Sequence, residues 1–159
     1  MKWKSLERPL QAPKQLLVEG RTPEIFFREW IEWLGLKAQM EVRDFLSLSD
    51  LTDFLRVFTQ RKEFKENVAS VGIMRDAEDR PALEAFASVC TSLREANLPA
   101  PATLGVVGSG TPRTGVFVLP DCRQPGMLET LCWRVLKGSP ELGSRLECVE
   151  GYLDCLRRI

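Results

Sequence analysis

Three carboxylates crowd into four positions of "SVGIMRDAED" (residues 70–79), where the apolar run Val71–Met74 gives way to Asp76, Glu78 and Asp79. Charges that close repel one another unless a cation sits among them. Two other apolar runs end the same way, "LLVEG" in Glu19 and "VFVLPD" in Asp121. The chain contains no histidine, which excludes Ser-His-Asp and Cys-His catalysis and any His-ligated zinc or haem. Its five cysteines include no C-x-x-C pair, so a structural zinc site is not expected either. Oxygen ligands alone favour a hard cation, Mg²⁺ or Mn²⁺. Mg²⁺ takes one or two protein carboxylates and completes its shell with water and substrate phosphate, so phosphoryl-transfer chemistry is the natural use.

Spacing refines the assignment. Asp76 and Glu78 are two apart, which on an extended backbone points both to one side. Asp79 is offset and is expected to cap a helix starting near Pro81. The competing reading is that these acids are solvated or cap helices, and local rules leave both readings open. Arg75, Arg80 and Arg113 are the basic residues expected to flank an acidic rim and meet phosphates. "GVVGSG" (105–110) lacks the helix that a phosphate-binding glycine loop opens, and reads as a turn.

The elements that position these residues follow from periodicity. "KQLLVEG" (14–20) reads as a buried strand, and Thr22-Pro23-Glu24 as the start of a helix with Phe27, Trp30, Ile31 and Leu34 inward. "AQMEVRDF" (38–45) reads as a half-exposed strand. A helix from Ser49 or Asp50 to about Phe64 carries the stripe Leu51, Phe54, Leu55, Phe58. "VASVGIM" (68–74) is apolar on both faces, as a central strand would be. A helix from Pro81 to Asn97 follows, with Leu83, Phe86, Cys90 and Leu93 inward. "TLGVV" (103–107) and "GVFVLP" (115–120) read as a hairpin around "GSGTPRT". Two helices close the chain, the last with Leu142, Leu146, Val149, Leu153 and Leu156 inward. Alternating strands and helices predict an α/β fold with a mostly parallel central sheet flanked by helices, and a hairpin before the C-terminal helices. Residues 1–13 read as an N-terminal arm, and 14–159 as one domain. In such a sheet, ligands bind outside the carboxyl ends of the strands, where Glu19, Asp76, Glu78 and Asp121 would gather.

Composition sets outer bounds. The chain has 159 residues, 44% hydrophobic and 28% charged, with 22 basic and 22 acidic side chains. That is ordinary for a globular domain, and nothing in it demands a polyanionic partner. No run approaches the length needed to span a bilayer, and the first residues lack the apolar stretch of a secretory signal. Odd cysteine count and apolar helix positions predict reduced, buried thiols at Cys132, Cys148 and Cys155, and a cytoplasmic protein.

Taken in order, "LLVEG", "VGIMRDAED", "GVFVLPD" and "PGMLETL" resemble the Toprim domain, which topoisomerases, bacterial primases, recombination-repair proteins and OLD-family nucleases share. The resemblance is closer to small stand-alone prokaryotic Toprim-like proteins and covers roughly residues 14–136. It implies that Glu19 is a general acid/base or metal ligand, and that Asp76 with Glu78, or Asp79 in its place, binds Mg²⁺ or Mn²⁺. It further implies Glu129 as an acid near the metal, with Asp121 a weaker addition. The expected activity is Mg²⁺-dependent phosphodiester hydrolysis on nucleic acid. The alternative is a Toprim-like accessory that binds nucleic acid or protein without turnover.

Overall fold

A computed structural model describes residues 2–158. Four strands form one sheet: β1 (Lys14–Val18), β2 (Met40–Asp44), β3 (Ser70–Asp76) and β4 (Arg113–Leu119). Their order is β2-β1-β3-β4, and every pairing is parallel. The helices are α1 (Arg21–Trp33), α2 (Leu48–Gln60), α3 (Lys62–Asn67), α4 (Ala82–Glu95), α5 (Leu128–Lys137) and α6 (Gly143–Leu156). The result is the expected α/β fold of Rossmann-like type.

The pleat divides the core in two. On one face Leu17, Val71, Ile73, Val116 and Val118 pack against α2 and α4, with Phe54 and Phe58 stacked at 5.6 Å. On the other, Val18, Val42 and Met74 pack against Phe27 and Ile31 of α1 and Leu128 of α5. The stripe expected for α2 is buried in full. Its helix ends earlier than expected, because Arg61 leaves helical geometry at ψ 139° and α3 restarts beyond it.

Four expectations fail, besides that for Leu83 of α4, which was expected inward and is 68% exposed. The hairpin is absent: only 113–119 is a strand, and it runs parallel to β3. Gly105, at φ 75°, breaks the extended backbone of "TLGVV". That segment instead lies along β4 as a loop, donating from Gly105 N–H to Val116 O and from Gly108 N–H to Thr114 O. Such a loop covers an edge strand without extending the sheet. Second, the arm is no loose leader. Trp3, Leu6 and Leu10 are buried in the core, and a 3₁₀ turn at Lys4–Glu7 shapes the segment. Arg43, 1% exposed, ties it down by donating to the carbonyls of Ser5, Arg8 and Pro9. Third, α6 buries none of its apolar residues, and Cys148 and Cys155 are exposed while Cys132 is half-buried. The apolar periodicity of α6 is real, but α5 alone does not cover it. Fourth, α1 places Phe27 and Ile31 inward and leaves Trp30 and Leu34 exposed, as it does the neighbouring Trp33. Among the described residues, no helix is long and apolar enough to cross a membrane.

Candidate functional site

Strand order fixes where a ligand belongs. The chain leaves β1 to one side for β2, then crosses back to place β3 on β1's other side. Connections from β1 and β3 therefore diverge, opening a crevice at their carboxyl ends. Glu19 follows β1 and Asp76 ends β3, so both acids stand at that crevice.

Glu19 is half-buried. Its Oε1 accepts the Leu48 N–H at 2.8 Å, satisfying an orphan donor of the first turn of α2. Its Oε2 lies 3.5 Å from Arg75 Nε, a charge contact longer than a good hydrogen bond. Burial raises its pKa, against the opposing pull of Arg75 and the Leu48 N–H. Asp76 turns to the opposite sheet face, where its Oδ1 accepts the Leu128 N–H at the start of α5 at 3.0 Å. Burial pushes its pKa up to about 6, with further increments from the carboxylates of Glu129, Glu19 and Glu78, and the Leu128 N–H opposing. Among the described residues, no cationic side chain pairs with Asp76.

Glu78 is exposed and held by its backbone. It exchanges two hydrogen bonds with Gly126, N–H to O at 2.9 Å and O to N–H at 2.7 Å. Glu78 sits at φ 57°, a left-handed conformation that costs a non-glycine residue roughly 1–2 kcal/mol. Gly126 is required there: at φ 138°, a Cβ would lie 3.0 Å from Thr130 Oγ1 and 3.1 Å from Pro120. The extended backbone thus stops at Asp76, and the expectation that Asp76 and Glu78 share one side by strand alternation does not hold. The bridge to Gly126 instead fixes where Glu78 leaves the strand, and the chain beyond Gly126 leads to Glu129 on the first turn of α5.

The other expected residues divide. Arg80 is exposed and lines a cleft of about 340 Å³ together with Glu19, Arg75, Glu78 and Glu84. Arg75 is buried, and its Nε meets both Glu19 and the Asp76 carbonyl, so it tethers the rim while lining the same cleft. Arg113 pairs in register with Ser70 at the amino end of the sheet. A seven-residue strand at roughly 3.3 Å per residue puts it about 20 Å from the acids. Asp121 does follow β4 at the same rim, but it is already satisfied. Its Oδ1 accepts the N–H groups of Arg123 and Gln124, and its Oδ2 meets Arg134 at 2.9 Å. Those contacts hold its pKa below the usual range. Asp79 is exposed and does not cap α4, which begins behind Pro81 without a side-chain cap.

Sequence reasoning missed Asp44, which ends β2 at the same rim. Its Oδ1 accepts the N–H groups of Gly20 and Leu46 at 2.9 and 2.6 Å, fixing the turn after Glu19. The signal was present, since "MEVRD" is a fourth strand delivering an acid.

Among the described residues, no three His, Cys, Asp or Glu side chains converge closely enough to form a metal cage. The pleat explains this, because Glu19 is drawn to the α2 face and Asp76 to the α5 face. Asp76 Oδ2 and the carboxylates of Glu78 and Glu129 make no hydrogen bond or ion pair among the described residues. That donor set, hard oxygens without a counter-charge, fits a divalent ion held by one or two carboxylates and otherwise hydrated. No curated protein matches this chain. The family described as "Protein of unknown function (DUF3226)" matches residues 13–157, and the chain belongs to that family.

Proposed function

We propose that the protein hydrolyses phosphodiester bonds of nucleic acid with Mg²⁺ or Mn²⁺ at the rim between β1 and β3. The observation that carries this reading is Asp76: half-buried, raised to about 6 by burial and by the charges of Glu129, Glu19 and Glu78, and with one oxygen unused. An acid destabilised in this way is one that a cation would relieve. Asp76 Oδ2 and Glu78 would hold the ion, with Glu129 beside them. When bound, the ion supplies charge neutralisation at the scissile phosphate. The Leu128 N–H keeps Asp76 aimed at the rim. Glu19, with a raised pKa and an oxygen only loosely engaged by Arg75, takes or returns the proton of the attacking or leaving oxygen. Arg80, exposed in the neighbouring cleft, would meet a flanking phosphate. The likeness of the ordered motifs to Toprim domains supports the same assignment. A cytoplasmic setting suits it, since the five cysteines are all unpaired.

The test compares plasmid, single-stranded DNA and RNA as substrates, with Mg²⁺ or Mn²⁺, for the wild type, Glu19→Gln and Asp76→Asn. Cleavage lost in both variants is the expected result; equal cleavage in all three rejects the reading. One observation favours a second reading, a non-catalytic accessory that binds nucleic acid or protein: Glu19 already serves α2 and Arg75. Calorimetric titration separates the two, because the accessory reading predicts no Mg²⁺ heat that Asp76→Asn removes.

A further inference from the structure

On the other side of the loop Phe45–Ser47 from the acidic cleft lies a second one, of about 670 Å³. Its walls carry Lys2, Lys4, Arg8, Arg21 and Arg28, with Trp3 among them. Two carboxylates face this cleft, and both are committed. Glu24 is buried and shared between Arg8 and Arg21, each at 2.5 Å, so one negative charge serves two guanidiniums. Asp44 accepts the Gly20 and Leu46 N–H groups. Lys2 is paired with Asp50 outside the cleft. Lys4 and Arg28 make no ion pair among the described residues. The cleft therefore carries an excess of positive charge in a concave wall, which concentrates anions.

A second observation points to a ligand. Trp3 is 8% exposed, and its Nε1–H is the buried side-chain donor left without a partner among the described residues. An orphaned buried donor is rare and calls for an acceptor. That nitrogen is closed to solvent in this structure, so an anion among these cations would meet it only if the wall yields, and its indole N–H signal reports such a change.

We propose that this cleft binds the phosphate backbone of a nucleic-acid strand whose neighbouring phosphodiester lies at the acidic rim. Leu46 lines the basic cleft, while Ser47 and Leu48 line the acidic one, so one short loop separates them. The choice of nucleic acid, rather than free phosphate, as the source rests on the function proposed above. Phosphate contacts of this kind position a strand and carry no sequence preference.

The experiment measures binding without turnover. A fluorescein-labelled single-stranded oligonucleotide is titrated in EDTA and followed by anisotropy at several salt concentrations. With about three cations engaged, the log–log salt slope is expected near −2. Lys4→Glu/Arg28→Glu is expected to weaken binding roughly tenfold or more and to flatten the slope by about 1.4. Arg113→Glu, at the far end of the sheet, is expected to change neither. In parallel, ¹⁵N spectra of the wild type resolve the indole N–H signals of Trp3, Trp30, Trp33 and Trp133, with Trp3→Phe assigning the first. The Trp3 signal is expected to shift on adding the oligonucleotide, and at far higher concentrations of inorganic phosphate. Binding unaffected by the double reversal, or a Trp3 signal that stays fixed while the oligonucleotide binds, overturns the proposal. Inorganic phosphate acting as strongly as the oligonucleotide overturns the nucleic-acid source. Binding in EDTA without any cleavage on adding Mg²⁺ keeps the cleft and rejects hydrolysis. Cleavage indifferent to the double reversal does the opposite.

Discussion

Replacing Asp76 by Asn should stabilise the protein at neutral and alkaline pH while removing its response to Mg²⁺. Folding raises the Asp76 pKa from its ordinary 3.8 to about 6, so the folded state holds this proton more tightly than the unfolded chain. The contribution to stability is fully present below the unfolded value and is lost as pH rises through about 6. A shift of that size corresponds to about 3 kcal/mol at full strength, which solvent screening of a half-exposed carboxyl reduces to about 1–2 kcal/mol. Asparagine keeps an acceptor for the Leu128 N–H and removes the charge. At pH 8 the variant should melt about 3–6 °C higher than the wild type, using the entropy scale of a 150-residue domain. At pH 4 the two should nearly coincide. Adding Mg²⁺ at pH 8 should raise the wild-type melting temperature, by linkage, and leave the variant unmoved. Differential scanning calorimetry at both pH values, with Mg²⁺ or EDTA, reads all four quantities. A variant less stable at pH 8, or a difference that does not change with pH, would refute the argument that uncompensated carboxylates strain this site.

Other consequences are as specific. Arg43→Met should cost about 3–5 kcal/mol in urea unfolding, because it leaves Glu41 and three carbonyls of the N-terminal segment without their buried donor. Amide exchange should rise first across residues 5–10. Asp121→Asn should leave both cleavage and the Mg²⁺-induced melting shift at wild-type values, since that carboxylate is satisfied by Arg134 and its own turn. Equal loss in Asp121→Asn and Asp76→Asn would place the ion elsewhere on the rim. Gly126→Ala should lower the Mg²⁺ affinity in a calorimetric titration, because it disturbs the backbone bridge that fixes Glu78. An unchanged affinity would remove Glu78 from the site.

The alternation of elements was legible because buried strands and amphipathic helices carry distinct periods, and Glu19 and Asp76 were found because strands deliver their last residues to one rim. What local rules could not supply was the geometry beyond the strand ends. Glu78 meets the rim through a left-handed turn and a partner almost fifty residues away, neither of which its D-x-E spacing encodes. The tether from Arg75 Nε to Glu19 was hidden because the two residues are equally remote in sequence. Arg113 was misplaced because it was grouped with the acids by charge, although it precedes the strand whose other end delivers Asp121. The N-terminal arm passed for a loose leader because two prolines interrupt any period, although Trp3, Leu6 and Leu10 are core residues.

The most direct measurement is a crystal soaked in Mn²⁺ and recorded for anomalous scattering. The expected result is a peak at about 2.1 Å from Asp76 Oδ2, the length of a hard-cation contact, with the Glu78 carboxylate in reach and solvent completing the shell. A crystal in which Mn²⁺ binds only at Asp121 or other surface acids, with the rim between β1 and β3 empty, would contradict it.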